Sequence, residues 1–262
     1  MAMILDAILA QKRKELDAAK KKQPLEALKE QVSRRKAERD FFAALSEPGR
    51  LHLIAELKRQ SPSRGLLRER FDPVSLAQEM EEAGASALSV LTDQIFFGGR
   101  LEYLREAKSF TELPALRKDF VLEPYQVYEA ALHGADAVLL IVRILDEPQL
   151  KACLEAAHQL QLAALVEVHA EAELPAAFRA GAKVIGINHR DLDSLAMDLS
   201  LSTRLMPKIP KGIVVIAESG IHTPQDVQRM QQLGVHGLLI GESLMTSPSV
   251  GGKIRELFQL VW

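Results

Sequence analysis

Residues 51–65 read LHLIAELKRQSPSRG, an apolar run that passes without a break into Glu56, Lys58 and a Ser-Pro-Ser loop. Side chains on a strand alternate between faces, so Ile54, Glu56 and Lys58 share one face. The wall that Ile54 packs into therefore carries a carboxylate and an ammonium just above it. Charges are costly to bury unless they are paired or used. The stretch predicts a buried strand whose carboxyl end forms the floor and rim of an active site.

The same design recurs along the chain. Leu116, Lys118 and Phe120 in ALRKDF, Ala163, Leu165 and Glu167 in AALVEV, Gly186, Asn188 and Arg190 in IGINHRD, and Ile216 and Glu218 in VVIAESG each end an apolar run in polar groups of matching parity. A parallel barrel builds a site on its top face in this way, with different strands each delivering a residue. Between these strands the chain repeats a capping residue, Pro, a helical pattern, Gly and an apolar strand, beginning at Asp72, Glu123 and Thr223, with looser copies from Asp146 and Ala170. Pro suits the first helical position, and Gly84, Gly134 and Gly234 suit a left-handed helix stop. Helices alternating with near-continuous apolar strands specify a parallel sheet covered by helices.

Eight strands are predicted, at 51–57, 87–91, 114–118, 137–142, 163–168, 184–188, 213–217 and 237–240. Eight is the barrel number, and no G-x-G-x-x-G follows the first strand, which argues against a doubly wound open sheet. The predicted fold is α/β, a (β/α)8 TIM barrel over residues 51–262 forming a single catalytic domain. Residues 1–50 fall outside the repeat and are predicted to be a helical extension packed on the barrel, closing its bottom or flanking the site. The extension's basic residues, Lys12 to Lys22 and Arg34 to Arg39, alternate with Glu15, Asp17, Glu26, Glu30 and Glu38, the pattern of a solvated helix face rather than a nucleic-acid surface.

Composition narrows the class. The 262 residues are 47% hydrophobic and 26% charged with a net charge of −2, an ordinary globular balance that argues against nucleic-acid binding. No run approaches the ~18 apolar residues of a membrane span. The N-terminal apolar residues precede the charges, the wrong order for a secretory signal. A single cysteine, Cys153, excludes an internal disulfide and reads as a core thiol at helical spacing. The expectation is a cytoplasmic enzyme without membrane or nucleic-acid partners.

Two glycine-bearing turns, Glu218-Ser219-Gly220 and Gly241-Glu242-Ser243, follow the last two strands. Barrels commonly bind phosphate in these loops, where small residues let backbone amides close on the anion. Lys118 and Glu167 share inward parity, as an acid–base pair requires. Asn188 and Arg190 could orient hydroxyls or a carboxylate, Arg being the natural fork for a planar acid. Phe96-Phe97-Gly98-Gly99 at the end of the second strand suggests a mobile loop over an aromatic substrate. His133, His158 and His236 read as exposed or structural. His169 and His189 lie nearer the top face, but no pair has metal-ligand spacing, and no metal is expected.

These residues resemble the indole-3-glycerol-phosphate synthase family of tryptophan biosynthesis. The resemblance runs through IAELKRQSPSRG (54–65), SVLTDQIFFGG (89–99), LRKDFVLEPYQVYEA (116–130), ADAVLLIVRIL (135–145), LVEVH (165–169), IGINHRDL (185–192), IAESGI (216–221) and LLIGESLM (238–245). It implies ring closure of 1-(2-carboxyphenylamino)-1-deoxyribulose 5-phosphate with loss of carbon dioxide and water, without cofactor or metal. By position, Lys118 would be the general acid that polarises the ketone. Glu167 and Glu56 would serve acid–base steps and stabilise positive charge on nitrogen. Lys58 would contact phosphate or act as the dehydration acid, and Asn188 would hold sugar hydroxyls or help Glu56.

Arg190 and Ser61 would sit near the substrate carboxylate, with Phe97, Phe120, Glu218 and Ser219 also lining the substrate. Lys58, Ser219, Gly220, Gly241 and Glu242 would form the phosphate cradle. The family pattern departs at His189, where many relatives carry a small polar residue; its parity points away from Asn188 and Arg190, so little effect is expected. The chain is too short for a second, isomerase barrel and is expected to be monofunctional, as a monomer or weak dimer. The rivals are another phosphate-binding barrel enzyme, such as a phosphoribosyl isomerase, and a silent barrel kept as a scaffold. Retention of Lys118 and Glu167 argues against the scaffold.

Overall fold

The computed structural model describes residues 4–33 and 39–259. Eight parallel strands close into a barrel: β1 (His52–Leu57), β2 (Ala87–Leu91), β3 (Ala115–Lys118), β4 (Ala137–Ile141), β5 (Ala163–Val168), β6 (Val184–Asn188), β7 (Val214–Glu218) and β8 (Gly237–Ile240). Each pairs with its sequence neighbours, and β1 pairs with β8 to complete the ring. The predicted strands agree with these to within a residue. The register aligns the strand ends that carry polar groups, with Glu167 opposite Gly186 and Asn188 opposite Glu218.

Local chemistry sets the helices between strands. Asp72 accepts hydrogen bonds from Val74 N and Ser75 N at the start of helix Pro73–Glu82, and Asp146 and Thr223 form capping boxes on two others. In each of these helices Pro takes a first-turn position where no amide is wasted. Gly84, Gly134 and Gly234, expected as left-handed stops, all have positive φ.

The period-two alternation sorts the core into two layers. Ile54, Leu116, Leu139, Leu165, Ile216 and Leu239 fill the barrel interior. Leu53, Ala55, Leu57, Leu140, Val166, Ile187 and Val215 pack outward under the helices. Each fully buried Leu, Ile or Val contributes about 1.5–3 kcal/mol, so a one-residue slip in any strand would forfeit several such terms and expel its polar end from the site. Cys153 is buried in the outer layer, as expected of a core thiol.

The residues before β1 pack at both ends of the barrel. Leu5 and Ile8 of α1 (Ile4–Lys22) join the inner cluster with Phe120 and line the cavity at the carboxyl ends of the strands. Leu28 of α2 (Leu25–Val32) is fully buried in a cluster with Leu16 and Tyr125. Phe41 of α3 (Phe41–Ala44) and the adjacent Leu45 join the inner cluster alongside Val184 and Val214, the first residues of β6 and β7, so α3 plugs the opposite end.

The solvated-face reading of the basic residues needs correcting at two positions. Lys12 is 4% exposed and lies 3.0 Å from Asp93 Oδ2, 2.9 Å from Asp119 Oδ1 and 2.8 Å from Glu15 Oε2. Arg39 donates to the carbonyls of Leu113 (2.7 Å) and Lys108 (3.3 Å). Arg34 and Glu38 lie outside the described residues. Burial alone would lower the Lys12 pKa, but Asp119 and Asp93 more than offset it and hold the ammonium charged. Asp93 also caps the short helix Gln94–Phe97, accepting from Phe96 N at 2.8 Å. One cation thus ties α1 to the loop bearing Phe97 and to the residue after Lys118.

Lys12→Met should destabilise the fold by about 3 kcal/mol, because it leaves buried Asp93 without a cation and Asp119 with Arg117 alone. It should also raise KM, since Ile4, Leu5 and Ile8 line the cavity. Urea melts and steady-state kinetics check both. Parent-like values in the two assays would mean that the buried ion cluster anchors nothing.

Candidate active site

The carboxyl ends of the strands converge on one cavity. Glu56 stands near the end of β1 and Lys58 just beyond it. Lys118 ends β3, Glu167 lies one residue before the end of β5, Asn188 ends β6 and Glu218 ends β7. All six line the cavity, as do Ser61, Phe97, Phe120, Arg190, Ser219, Gly220, Gly241 and Glu242. Every site residue singled out from the sequence is therefore on its wall.

Two ion pairs organise the centre. Lys118 Nζ is 2.8 Å from Glu167 Oε2 and 3.4 Å from Glu218 Oε2, and Lys58 Nζ is 2.7 Å from Glu56 Oε1. Burial disfavours the Lys118 charge, yet Glu167, Glu218 and Glu56 together hold its pKa above the ordinary lysine value. Glu167 is buried as well, but Lys118 and then His169, whose Nε2 is 3.2 Å from Glu167 Oε1, keep it below the usual carboxylate range.

Glu218 goes the other way. Burial, Glu167 and Glu56 push it well above the usual range against the pull of Lys118. Neither of its oxygens has a well-aligned hydrogen-bond partner among the described residues. Two carboxyls crowding one ammonium cannot both ionise cheaply, so their titrations are linked: Lys118 and His169 favour the charged form of Glu167, while burial and its charged neighbours favour the protonated form of Glu218.

That asymmetry gives a measurable consequence. A carboxyl whose folded pKa is raised adds stability below its unfolded pKa and loses it as pH rises through the folded value. Glu218→Gln, which has no proton to lose, should therefore gain thermal stability relative to the parent as pH rises from about 5 to about 8. A melting-temperature difference constant across that range would show that Glu218 is already ionised.

Small residues make room for these groups. A Cβ on Gly186 would lie 2.1 Å from Glu218 Oε1, and one on Gly241 would lie 2.2 Å from Glu56 Oε1. After β7, Ser219 and Gly220 both take the left-handed conformation, with φ of 68° and 79°. Ser243 Oγ donates to the Ile221 carbonyl at 2.9 Å and ties the last two loops together. Glu242 turns its carboxylate to Arg190 Nη2 and Arg64 Nε, each at 3.2 Å. Its side chain is thus neutralised, and what it can offer an anion is its backbone amide. Asn188 Oδ1 accepts from Arg190 N at 3.0 Å, which fixes the start of that arm.

The opposite wall is apolar. The Phe97 and Phe120 rings are 6.1 Å apart at 39°, and Ile4, Leu5 and Ile8 complete a slot suited to a flat aromatic group. The α1 residues were seen in the sequence only as helical spacing, which does not say which end of the barrel they reach. His169 and Asp119 gave no signal beyond proximity to a strand end. Among the described residues no group of three His, Cys, Asp or Glu side chains is arranged to hold a metal ion, and no helix is long and apolar enough to cross a membrane.

Comparison with known proteins adds an independent line. A family model described as indole-3-glycerol phosphate synthase matches residues 5–257. The chain is 44% identical over 261 residues to the indole-3-glycerol phosphate synthase of Polaromonas naphthalenivorans (strain CJ2), covering 98% of this chain and 99% of that one. It is 44% identical over 260 residues to that of Chlorobium chlorochromatii (strain CaD3), with 98% of each covered. Among solved structures, 3-hexulose-6-phosphate synthase from Salmonella typhimurium aligns with a TM-score of 0.63 over 80% of this chain and 98% of that one. At 14% identity, that likeness speaks for the barrel alone.

Proposed function

The chain belongs to the indole-3-glycerol phosphate synthase family, and from the geometry of its site we propose how its own residues carry out that reaction in tryptophan biosynthesis. Residues 51–262 form the catalytic unit and 1–50 its extension. The substrate is a small phosphorylated molecule, 1-(2-carboxyphenylamino)-1-deoxyribulose 5-phosphate, and the reaction takes place in the cytoplasm. The supporting observation is the Lys118–Glu167 pair, 2.8 Å apart at the ends of two strands in a cavity whose wall also carries the Phe97 and Phe120 rings.

Ring closure joins the aromatic carbon to the ketone carbon. Negative charge develops on the ketone oxygen and positive charge on the anilino nitrogen. Lys118 donates to the oxygen; an alkoxide is basic enough to take a proton even from a lysine of raised pKa. Glu167, held ionised, faces the positive nitrogen, with Glu56 as the second carboxylate. Loss of carbon dioxide then neutralises that cation. Departure of the hydroxyl as water takes a second proton, from Lys58 just beyond β1, and loss of one hydrogen from the CH2 beside nitrogen to Glu56, 2.7 Å from Lys58, completes the aromatic ring. Asn188 holds the sugar hydroxyls.

Arg190 and Ser61 lie on the cavity wall to receive the substrate carboxylate, while Ser219, Gly220, Gly241 and Glu242 close on the phosphate through backbone amides. Clamping both ends bends the substrate toward closure and prepays much of its entropic cost. The direct test adds the substrate and follows indole fluorescence alongside released carbon dioxide. One equivalent of each per substrate consumed is expected, and fluorescence without carbon dioxide would overturn the proposal.

The cradle yields its own expectation. A side chain at Gly220 would be strained by its φ of 79° and would meet Leu199 and Met197 at 2.9 Å, so it would push the loop out of place. Gly220→Asp adds like-charge repulsion. KM should rise about tenfold or more, with inhibition by inorganic phosphate weakened in parallel. Unchanged KM and phosphate inhibition would place the cradle elsewhere.

A further inference from the structure

His189 has the parity of a bystander: it follows the last residue of β6, and its side chain is not among those that line the cavity. The ring is nonetheless 1% exposed and bonded at both nitrogens. Nδ1 lies 2.9 Å from the Ser219 carbonyl oxygen, and Nε2 lies 2.7 Å from Ser202 Oγ in the short helix Leu201–Leu205. A carbonyl can only accept, so Nδ1 carries the proton and Nε2 accepts from the Ser202 hydroxyl. Burial keeps the ring neutral, against the Ser219 carbonyl and Asp198, so this tautomer is the one in place near neutral pH. The backbone of His189 is equally fixed: its N–H donates to Glu218 O at 3.0 Å and its carbonyl accepts from Asp198 N at 2.8 Å.

We propose that His189 is the positioning residue of the phosphate cradle, holding the Ser219 carbonyl outward so that the Gly220 amide faces the cavity. The inference rests on the cradle assignment made above. In a trans peptide the C=O and the following N–H point in opposite directions. With the Ser219 carbonyl drawn behind the sheet to the imidazole, the Gly220 N–H is turned toward the pocket that Ser219, Gly220 and Ile221 line. That N–H has no acceptor among the described residues, as an amide reserved for an anion should not.

Conformation points the same way. Ser219 has φ of 68°, a left-handed conformation that a residue with a Cβ adopts rarely. Something must hold it there, and the imidazole bond acts on the very carbonyl whose direction that conformation sets. The donor comes from a rigid strand end, so the orientation of the peptide is built in before substrate arrives. A simple core histidine would need partners too, but it would have no reason to act on this peptide rather than on water or a helix carbonyl.

Two substitutions separate positioning from bulk. His189→Leu keeps volume and removes the donor, whereas His189→Asn can place an amide N–H where Nδ1 stood. For each, kcat, KM and the inhibition constant of inorganic phosphate are measured beside a thermal melt, with Gly220→Asp as the reference. His189→Leu should raise KM and the phosphate inhibition constant about tenfold, the effect of misdirecting one charge-assisted hydrogen bond, with kcat nearly unchanged. His189→Asn should restore most of both.

If Gly220→Asp weakens phosphate inhibition and His189→Leu does not, the role assigned to His189 is wrong. If neither does, the cradle itself is misplaced and the inference goes with it. Should His189→Leu fail to fold, His189→Gln replaces it under the same criterion. Its longer amide keeps a partner for Ser202 but cannot reach the Ser219 carbonyl from the Nδ1 position.

Discussion

Lys118→Ala is expected to lower kcat by about 10²-fold or more, the contribution of a positioned acid, in protein that still gives the parent's circular dichroism. The ammonium lies 2.8 Å from Glu167 and 3.4 Å from Glu218 inside a slot walled by Phe97 and Phe120, so no solvent cation can replace it at the same geometry. The change also alters the pH profile in a direction that can be worked out. Lys118 is the leading attraction that keeps Glu167 ionised against burial. Without it the Glu167 pKa must rise, and the acid limb of kcat should move from below the ordinary carboxylate range toward neutrality. On the alkaline side the parent should hold its rate past the ordinary lysine pKa, because that of Lys118 is raised. Near-parent turnover, or an acid limb that stays put, would remove Lys118 from the mechanism.

Glu167→Gln should lower kcat on a similar scale, about 10²-fold, and raise KM far less. The amide keeps the shape and a hydrogen bond but cannot meet the positive charge that develops on nitrogen only as the ring closes. Stability should suffer little. Lys118 keeps Glu218 as a partner, and Glu218, relieved of its ionised neighbour, can give up its proton and take over the ion pair. A structural Glu167 would give the reverse pattern, with a lowered melting temperature and activity per folded molecule intact. Measuring both on one preparation decides between the two roles.

Much of this arrangement could be read from local pattern. Ile54, Glu56 and Lys58 were placed on one face by alternation, and the structure puts Ile54 in the interior with the two charges above it. Lys118 and Glu167 followed from the same parity. The helix stops at Gly84, Gly134 and Gly234 and the caps at Asp72, Asp146 and Thr223 are equally local. What parity could not supply was the fate of Lys12, which sits in a run of basic and acidic residues that reads as solvated. Its partners, Asp93 and Asp119, are more than 80 positions away in the sequence. His189 shows the opposite limit: alternation gave its direction correctly, yet not the carbonyl waiting there.

The sequence by itself determined the eight strands, the helices between them and which strand ends carry polar groups, because period-two alternation, caps and glycine stops are properties of neighbouring residues. Only the tertiary structure decided that α1 lines the mouth while α3 plugs the far end, since both show the same helical spacing. It also decided that the surroundings draw Glu167 toward the charged form and Glu218 toward the protonated one. Two glutamates at equivalent strand ends look alike in sequence. Their protonation depends on distances across the barrel to one lysine and one histidine, and on burial by elements from the whole length of the chain.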